Sequence, residues 1–279
     1  VEAADRDRHE AVHEVRKNCK RVRGLLRLIR PPAPKLYRVE KEHFRDAAAS
    51  LSGIRDAEAA LESYDALLDA FHDQVDRQTL APVRRALTIY KQHLAENVTD
   101  LDARLDDFAE RMREARGRVA DWKIPAGDPT KADGGFKLLG PGLAKTYRRG
   151  RKAMRASYDR PGIERFHDWR KRTKYLRYQL RLLRAAWPEL LKPMRSDVKA
   201  LSDLVGDDHD LAVLEQVLRQ ALTEGVDKDR VVMLRALVRQ RSSQLRDQAY
   251  WLGRRVYAEK PKAFCKRMGR YWATARAQR

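Results

Sequence analysis

A basic helical segment is written twice in this chain, and the repeat leaves few possible folds. HEVRKNCKRVRGLLRLI (residues 13–29) and HDWRKRTKYLRYQLRLL (residues 167–183) align at a constant offset of 154 residues. His13, Arg16, Lys17, Lys20, Arg23, Leu26, Arg27, Leu28 and Arg30 recur as His167, Arg170, Lys171, Lys174, Arg177, Leu180, Arg181, Leu182 and Arg184. The same offset pairs Pro34 with Pro188 and Asp56 with Asp210. One spacing thus serves the helix, the break after it and a position two helices downstream. Chance similarity does not hold register that far, so the spacing predicts a duplicated four-helix unit.

The rest of the sequence agrees with this. Nearly every segment carries the helical period, and no alternating apolar–polar run is long enough for a sheet. Helices are expected from about Asp5 to Arg30, Leu36 to Leu51, from near Ile54, and from Pro82 to Arg118. DWKIPAGDPTKADGGFKLLGPG, residues 121–142, reads as a linker because of its Pro and Gly density. Further helices are expected over Leu143–Ser157, from after Pro161-Gly162 to Ala186, and over Leu190–Leu204, Asp208–Thr223, Asp227–Tyr257 and Pro261–Ala277. The expected fold is all-α, two four-helix bundles side by side. Residues 1–120 would form the first half, 121–142 the linker, and 143–279 the second half with extra basic helices.

On a helical projection at about 100° per residue, Arg16, Lys17, Lys20, Arg23, Arg27 and Arg30 fall within about −100° to +40° of His13. Val15, Cys19, Val22, Leu25, Leu26 and Ile29 occupy the opposite side. The second copy divides the same way, with Trp169, Leu176, Leu180 and Leu183 on the far face. Each helix therefore joins a packing face to a cationic stripe roughly 25 Å long. An idle polar face would mix signs, because opposite charges at i,i+4 help a helix and like charges cost it a few tenths of a kcal/mol. A stripe of one sign, repeated, suggests a polyanion that relieves the repulsion.

Charge is also unevenly placed along the chain. The net charge is +20. Residues 1–142 hold 26 Lys+Arg and 25 Asp+Glu, a net of +1, whereas residues 143–279 hold 34 and 15, a net of +19. An imbalance of this size argues for an anionic partner and a localised binding face. Nucleic acid is the usual partner of a basic helical protein. Its bases, however, call for aromatics and amides among the cations. Tyr175 and Tyr178 stand in the second copy where the first has Arg21 and Gly24, so only the charge is duplicated. A ligand made solely of phosphates would need nothing more.

HEVRKNCKRVR and HDWRKRTKYLRY resemble the signature helices of the CHAD domain, the conserved histidine α-helical domain. Ile54-Arg55-Asp56, Leu204-Val205-Gly206 through Asp210-Leu211, and LLGPGLAKTYRRGRKAMR (residues 138–155) extend the resemblance over nearly the whole chain. It implies two four-helix bundles related by a pseudo-twofold axis, with a basic surface and cavity between them. It also implies non-catalytic binding of long-chain inorganic polyphosphate, with targeting or scaffolding at polyphosphate granules and contact with granule proteins. By carry-over the contacts are His13, Arg16, Lys20, Arg23 and Arg27, then His167, Arg170, Lys174, Arg177 and Arg181. Lys17 and Lys171 widen the face, and Arg148, Arg149 and Lys152 extend it. Lys17 stands where first halves of the family often carry an aliphatic residue, and His209 where Asn is common. The Glu/Lys-alternating strands of a fused triphosphate-tunnel domain are not found, so the resemblance is to the stand-alone module.

Other expectations concern single residues. Asp56 and Asp210 are read as structural partners of arginines, and His13 and His167 as either phosphate donors or groups that orient the helices. Asp207, Asp208 and Asp210 read as a helix start, where acids cap free amides. His9 and His13 have the spacing of a zinc pair but lack a third ligand, so neither metal nor cofactor is expected. No P-loop is present, since GGFKLLGPG lacks the Lys-Ser/Thr that must follow its last glycine, and no catalytic elbow is recognisable. Cys19 lies on the packing face, and Trp251, Tyr257, Tyr271 and Trp272 read as core or helix-crossing anchors. The flanking basic segments Lys145 to Arg155 and Lys260 to Arg270 read as extensions of the surface, and the latter alternatively as a membrane-surface helix, since FCKRMGRYW (residues 264–272) has a mixed apolar and cationic face. Two cysteines, no apolar run long enough to span a bilayer, and an opening stretch without a signal-peptide core make the cytoplasm the expected compartment. A nucleic-acid-binding helical protein is the alternative function.

Overall fold

Prolines and the helical period set most of the boundaries. A computed structural model describes the backbone of residues 2–51, 55–96, 100–125, 134–221 and 227–278. It places the side chains of residues 10–51, 57–94, 100–125, 135–220 and 227–278. Every regular element among them is helical: α1 (Glu2–Ile29), α2 (Pro34–Ser50), α3 (Arg55–Ala70), α4 (Arg77–Glu96), α5 (Leu101–Val119), α6 (Gly134–Asp159), α7 (Ile163–Leu183), α8 (Pro188–Ala221), α9 (Lys228–Val256) and α10 (Pro261–Ala277). A 3₁₀ turn over Arg184–Ala186 joins α7 to α8. None of the described helices is long and apolar enough to cross a membrane.

Three stretches differ from expectation. The helix expected over Pro82–Arg118 opens at Arg77, with Pro82 inside its first turns, and is two helices, α4 and α5, divided after Glu96. Asp100 stands just before α5, and Asp is a residue type that prefers helix ends to helix interiors. Conversely, Leu190–Leu204 and Asp208–Thr223 merge into one helix, α8. Asp208 does not cap a helix start. It is buried mid-helix, where its carboxylate accepts hydrogen bonds from Arg246 Nε (2.9 Å) and Ser242 of α9. Finally, α6 opens at Gly134 rather than Leu143 and runs through Pro141, so the linker's C-terminal end is helical. Gly142 there serves close packing, because a Cβ on it would overlap the Leu28 carbonyl of α1.

Packing crosses the Asp121–Gly142 segment rather than stopping at it. α3 and α4 bury Tyr64, Leu67, Leu80 and Leu87 against Leu214, Leu218, Leu234 and Val238 of α8 and α9. A larger cluster joins α6, α7, the first half of α8, the end of α9 and α10 around Trp169, Tyr147, Leu176, Leu180 and Phe264, and takes in Leu28 of α1. On the other side of α1, Cys19 packs with Ala47 and Ala48 of α2 and Phe108 of α5. Each such fully buried large side chain contributes roughly 1.5–3 kcal/mol of transfer free energy.

Two side-chain expectations change. Phe264 and Met268 of α10 are buried, with Phe264 stacked on Tyr147 at 4.1 Å, so the apolar face read as membrane-facing is spent on the core. Trp251 is 68% exposed and meets Tyr250 and Arg254 of its own helix, whereas Tyr257 is buried and Tyr271 and Trp272 pack at the edge of the large cluster.

Candidate functional site

The site begins where α1 crosses α7. Tyr175 and Tyr178 press on Gly24, where a Cβ would come within 2.8 Å of the Tyr178 ring. Gln179, fully buried, donates to the Gly24 carbonyl (3.0 Å) and to Thr146 Oγ1 of α6 (3.1 Å). Those contacts fix the rotation of both helices, and the two cationic stripes then face a single cleft of about 460 Å³. α1 supplies His13, Arg16, Lys17, Lys20 and Arg21 to it, and α7 supplies His167, Arg170, Lys174, Arg177 and Tyr178. α8 closes the far side with Ser202, Asp203, Gly206, Asp207, His209 and Asp210, and α3 adds Glu62 and Ser63.

Cations outnumber their partners here. Arg170 reaches Asp210 at 3.3 Å and Arg177 reaches Asp203 at 3.5 Å. Lys17 is paired with Glu14 of its own helix. Lys174 is half-buried, and desolvation, with help from Arg170 and Lys20, pulls its ammonium down to about 8. Part of Lys20 reaches solvent, yet the crowded walls desolvate it, and Arg16 and Arg170 add repulsion that lowers it further. Arg170 Nε and Ser202 Oγ, both lining the cleft, are buried donors with no hydrogen-bond partner among the described residues. A buried polar atom without a partner is costly and calls for an explanation, a ligand being one.

The histidines form part of the floor. His167 Nδ1 lies 3.3 Å from His209 Nδ1, with ring centroids 4.4 Å apart. Burial, then Lys171 and Arg170, lowers His167, and burial with Arg170 holds His209 down to about 3. Both rings are therefore neutral near pH 7, with one Nδ1 donating to the other. On the acid side, burial and the neighbouring Asp210 and Asp203 raise Asp207.

Not every expected residue enters this cleft. Arg27 lies with its guanidinium over the Tyr175 ring (4.0 Å) and, with Arg149, lines a separate notch between α1, α6 and α7. Arg23 is half-buried outside both. Arg148, Lys152 and Arg181 are exposed elsewhere, and Lys171 points to solvent 3.7 Å from Asp168. The side chains of Asp56 and His9 lie outside the described residues. Sequence reasoning missed Arg21, Tyr178, Ser202, Asp203 and the binding-side position of His209. Arg21 sits just beyond the stripe's edge on the helical projection, Tyr178 falls within its arc but carries no charge, and the α8 residues became visible only once that helix proved continuous.

The family model described as CHAD domain matches residues 1–219 of the chain, which takes in every residue lining the cleft. No curated protein and no solved structure matches it.

Proposed function

The chain belongs to the CHAD domain family, and on that premise we propose that it binds inorganic polyphosphate, without turning it over, in the cleft between α1 and α7. The observation that carries this is the convergence of two stripes whose cations are only partly paired and partly desolvated in the free protein. A chain of phosphates supplies the missing partners to Lys20, Lys174 and the Arg170 Nε while needing no surface on which to stack a base. The tyrosines support phosphate over nucleic acid, because Tyr175 is already covered by Arg27 and Tyr178 is pressed on Gly24. Long chains are favoured, since one strand can engage both stripes and the second contact becomes intramolecular.

We further propose that the repeat reflects an internal duplication with a pseudo-twofold relation between the halves. Gly24 and Tyr178, equivalent at the 154-residue offset, meet at the α1–α7 crossing, where such an axis would pass. A cytoplasmic protein that targets or scaffolds partners at polyphosphate granules fits this activity.

Labelled long-chain polyphosphate, bound at about 0.15 M salt and competed with orthophosphate, tripolyphosphate and charge-matched single-stranded DNA, tests the proposal. Long polyphosphate alone should compete well, and affinity should fall steeply with salt as counterions are released. Arg170→Glu with Lys174→Glu should abolish most binding in a protein that stays folded, and His167→Ala should cost less. Equal competition by DNA would transfer the cleft to nucleic acid, and retained affinity in the folded double variant would remove these residues from the site.

A further inference from the structure

A second group of cations converges on the other side of the α1–α7 crossing and shares no residue with the cleft. Arg27 and Arg30 come from α1, Lys145 and Arg149 from α6, and Arg172 from α7, around a notch of about 10 Å³. No Asp or Glu lines it, although Arg172 is held from behind by Asp168 (2.9 Å). The crossing itself separates the two sites, with Gln179 and Gly24 packed between them. Arg27 is fixed by the Tyr175 ring, and its buried Nε has no partner among the described residues. Arg30 lowers Lys145, and burial together with Arg172 and Arg30 lowers Arg149. Five cations held this close repel one another unless an anion sits among them.

We propose that this notch is a second anion site, which captures a terminal phosphoryl group. The charge and the number of free oxygens on the phosphate set the selectivity. A volume near 10 Å³ accepts about one oxygen-sized group, so one phosphoryl oxygen enters while the others meet Lys145, Arg149 and Arg30 at the mouth. The middle of a chain offers each phosphate only one charge and two bridging oxygens. A terminal group has three free oxygens and, with a second pKa near about 6, close to two charges at neutral pH. Orthophosphate and the end of a phosphate chain share this chemistry. Only the choice of anion rests on the polyphosphate reading of the cleft.

The test uses the full chain carrying Arg170→Glu and Lys174→Glu, which disables the cleft. Calorimetry should show that tripolyphosphate still binds this protein. Cyclic trimetaphosphate, which has no terminal group, should bind at least roughly tenfold more weakly, a difference of about 1.4 kcal/mol. Adding Lys145→Glu and Arg149→Glu should weaken tripolyphosphate by a further tenfold or more, a loss of about 1.4 kcal/mol. Should that variant misfold by circular dichroism, Lys145→Ala with Arg149→Ala is the milder pair, with a loss of at least roughly threefold expected. Orthophosphate binding as tightly as tripolyphosphate identifies the free ion as the ligand, and weaker binding identifies the chain end. Equal affinity for the cyclic and linear phosphates, or no effect of the α6 substitutions in folded protein, overturns the proposal. Failure of wild-type protein to bind long polyphosphate would sink the cleft reading alone, since the tripolyphosphate measurements decide the notch independently.

Discussion

Replacing Lys174 by Met should weaken ligand binding and stabilise the free protein at once. The ammonium is pulled from 10.5 to about 8, first by burial and then by Arg170 and Lys20. A depression of that size corresponds to about 3 kcal/mol of penalty on the charged form. Solvent on the open side of the cleft screens part of it, so about 1–2 kcal/mol is the expected gain at pH 7. Met keeps the apolar stem and removes only the charge. The sign of the pH dependence follows from the depressed folded value. Below pH 8 both folded and unfolded chains carry the proton and the penalty is complete; between about 8 and 10.5 the folded chain loses its proton first, and the penalty fades. Urea unfolding at low salt should therefore find the variant more stable at pH 7, with the advantage shrinking towards pH 10. The same variant should bind long polyphosphate at least roughly tenfold more weakly, about 1.4 kcal/mol. A variant less stable than wild type at pH 7 would refute the reasoning. Lys174 would then be a structural partner of Asp210 and not a cation waiting for an anion.

Further substitutions test the scaffold. Gly142→Ala places a Cβ against the Leu28 carbonyl, backbone that cannot swing away, and should cost about 2–3 kcal/mol in thermal or urea unfolding. Gly117→Ala, with nothing within 4 Å, should instead stabilise α5 by about 0.5–1 kcal/mol. Arg118 grips Glu40 through two 3.0 Å hydrogen bonds, and Glu40 is only 1% exposed. Arg118→Met should cost about 3 kcal/mol by leaving that carboxylate buried and unpaired, and adding Glu40→Met should restore most of the loss.

The sequence was most informative where one physical rule acted alone. Period and proline placed the ends of α1, α2, α7, α9 and α10 within a few residues, because nothing nearby competes with those signals. It misled where a residue's usual role yielded to packing. Asp208 resembles a cap, yet Arg246 and Ser242 reach it across a helix pair and hold it in the middle of α8. The glycines from 134 to 142 resemble a linker, yet Gly142 is there to admit the backbone of α1. Both roles depend on partners more than 30 residues away, which local pattern cannot contain. Within the site, the stripe was legible as a cationic face. The projection did not reveal that His13 to Arg21 and Arg27 to Arg30 would enter different cavities, since that depends on where α7 crosses.

That crossing also explains why a repeated sequence gives an unsymmetrical surface. Leu28 and Leu182 are equivalent at the repeat offset, but Leu28 is 1% exposed and Leu182 is 49% exposed. Arg27 is seated on Tyr175, whereas its counterpart Arg181 is exposed to solvent. The difference is α6, which packs over the end of α1 through Gly142 and carries Lys145 and Arg149 with it. The end of α7 instead turns through Arg184–Ala186 into α8. Cations at matching positions of the repeated segments thus meet a basic helix on one side only. Both segments line the cleft, and α6 completes the notch. A ligand that needs only the shared charges should be insensitive to substitutions in α6, and one that must present a free phosphoryl end should not be.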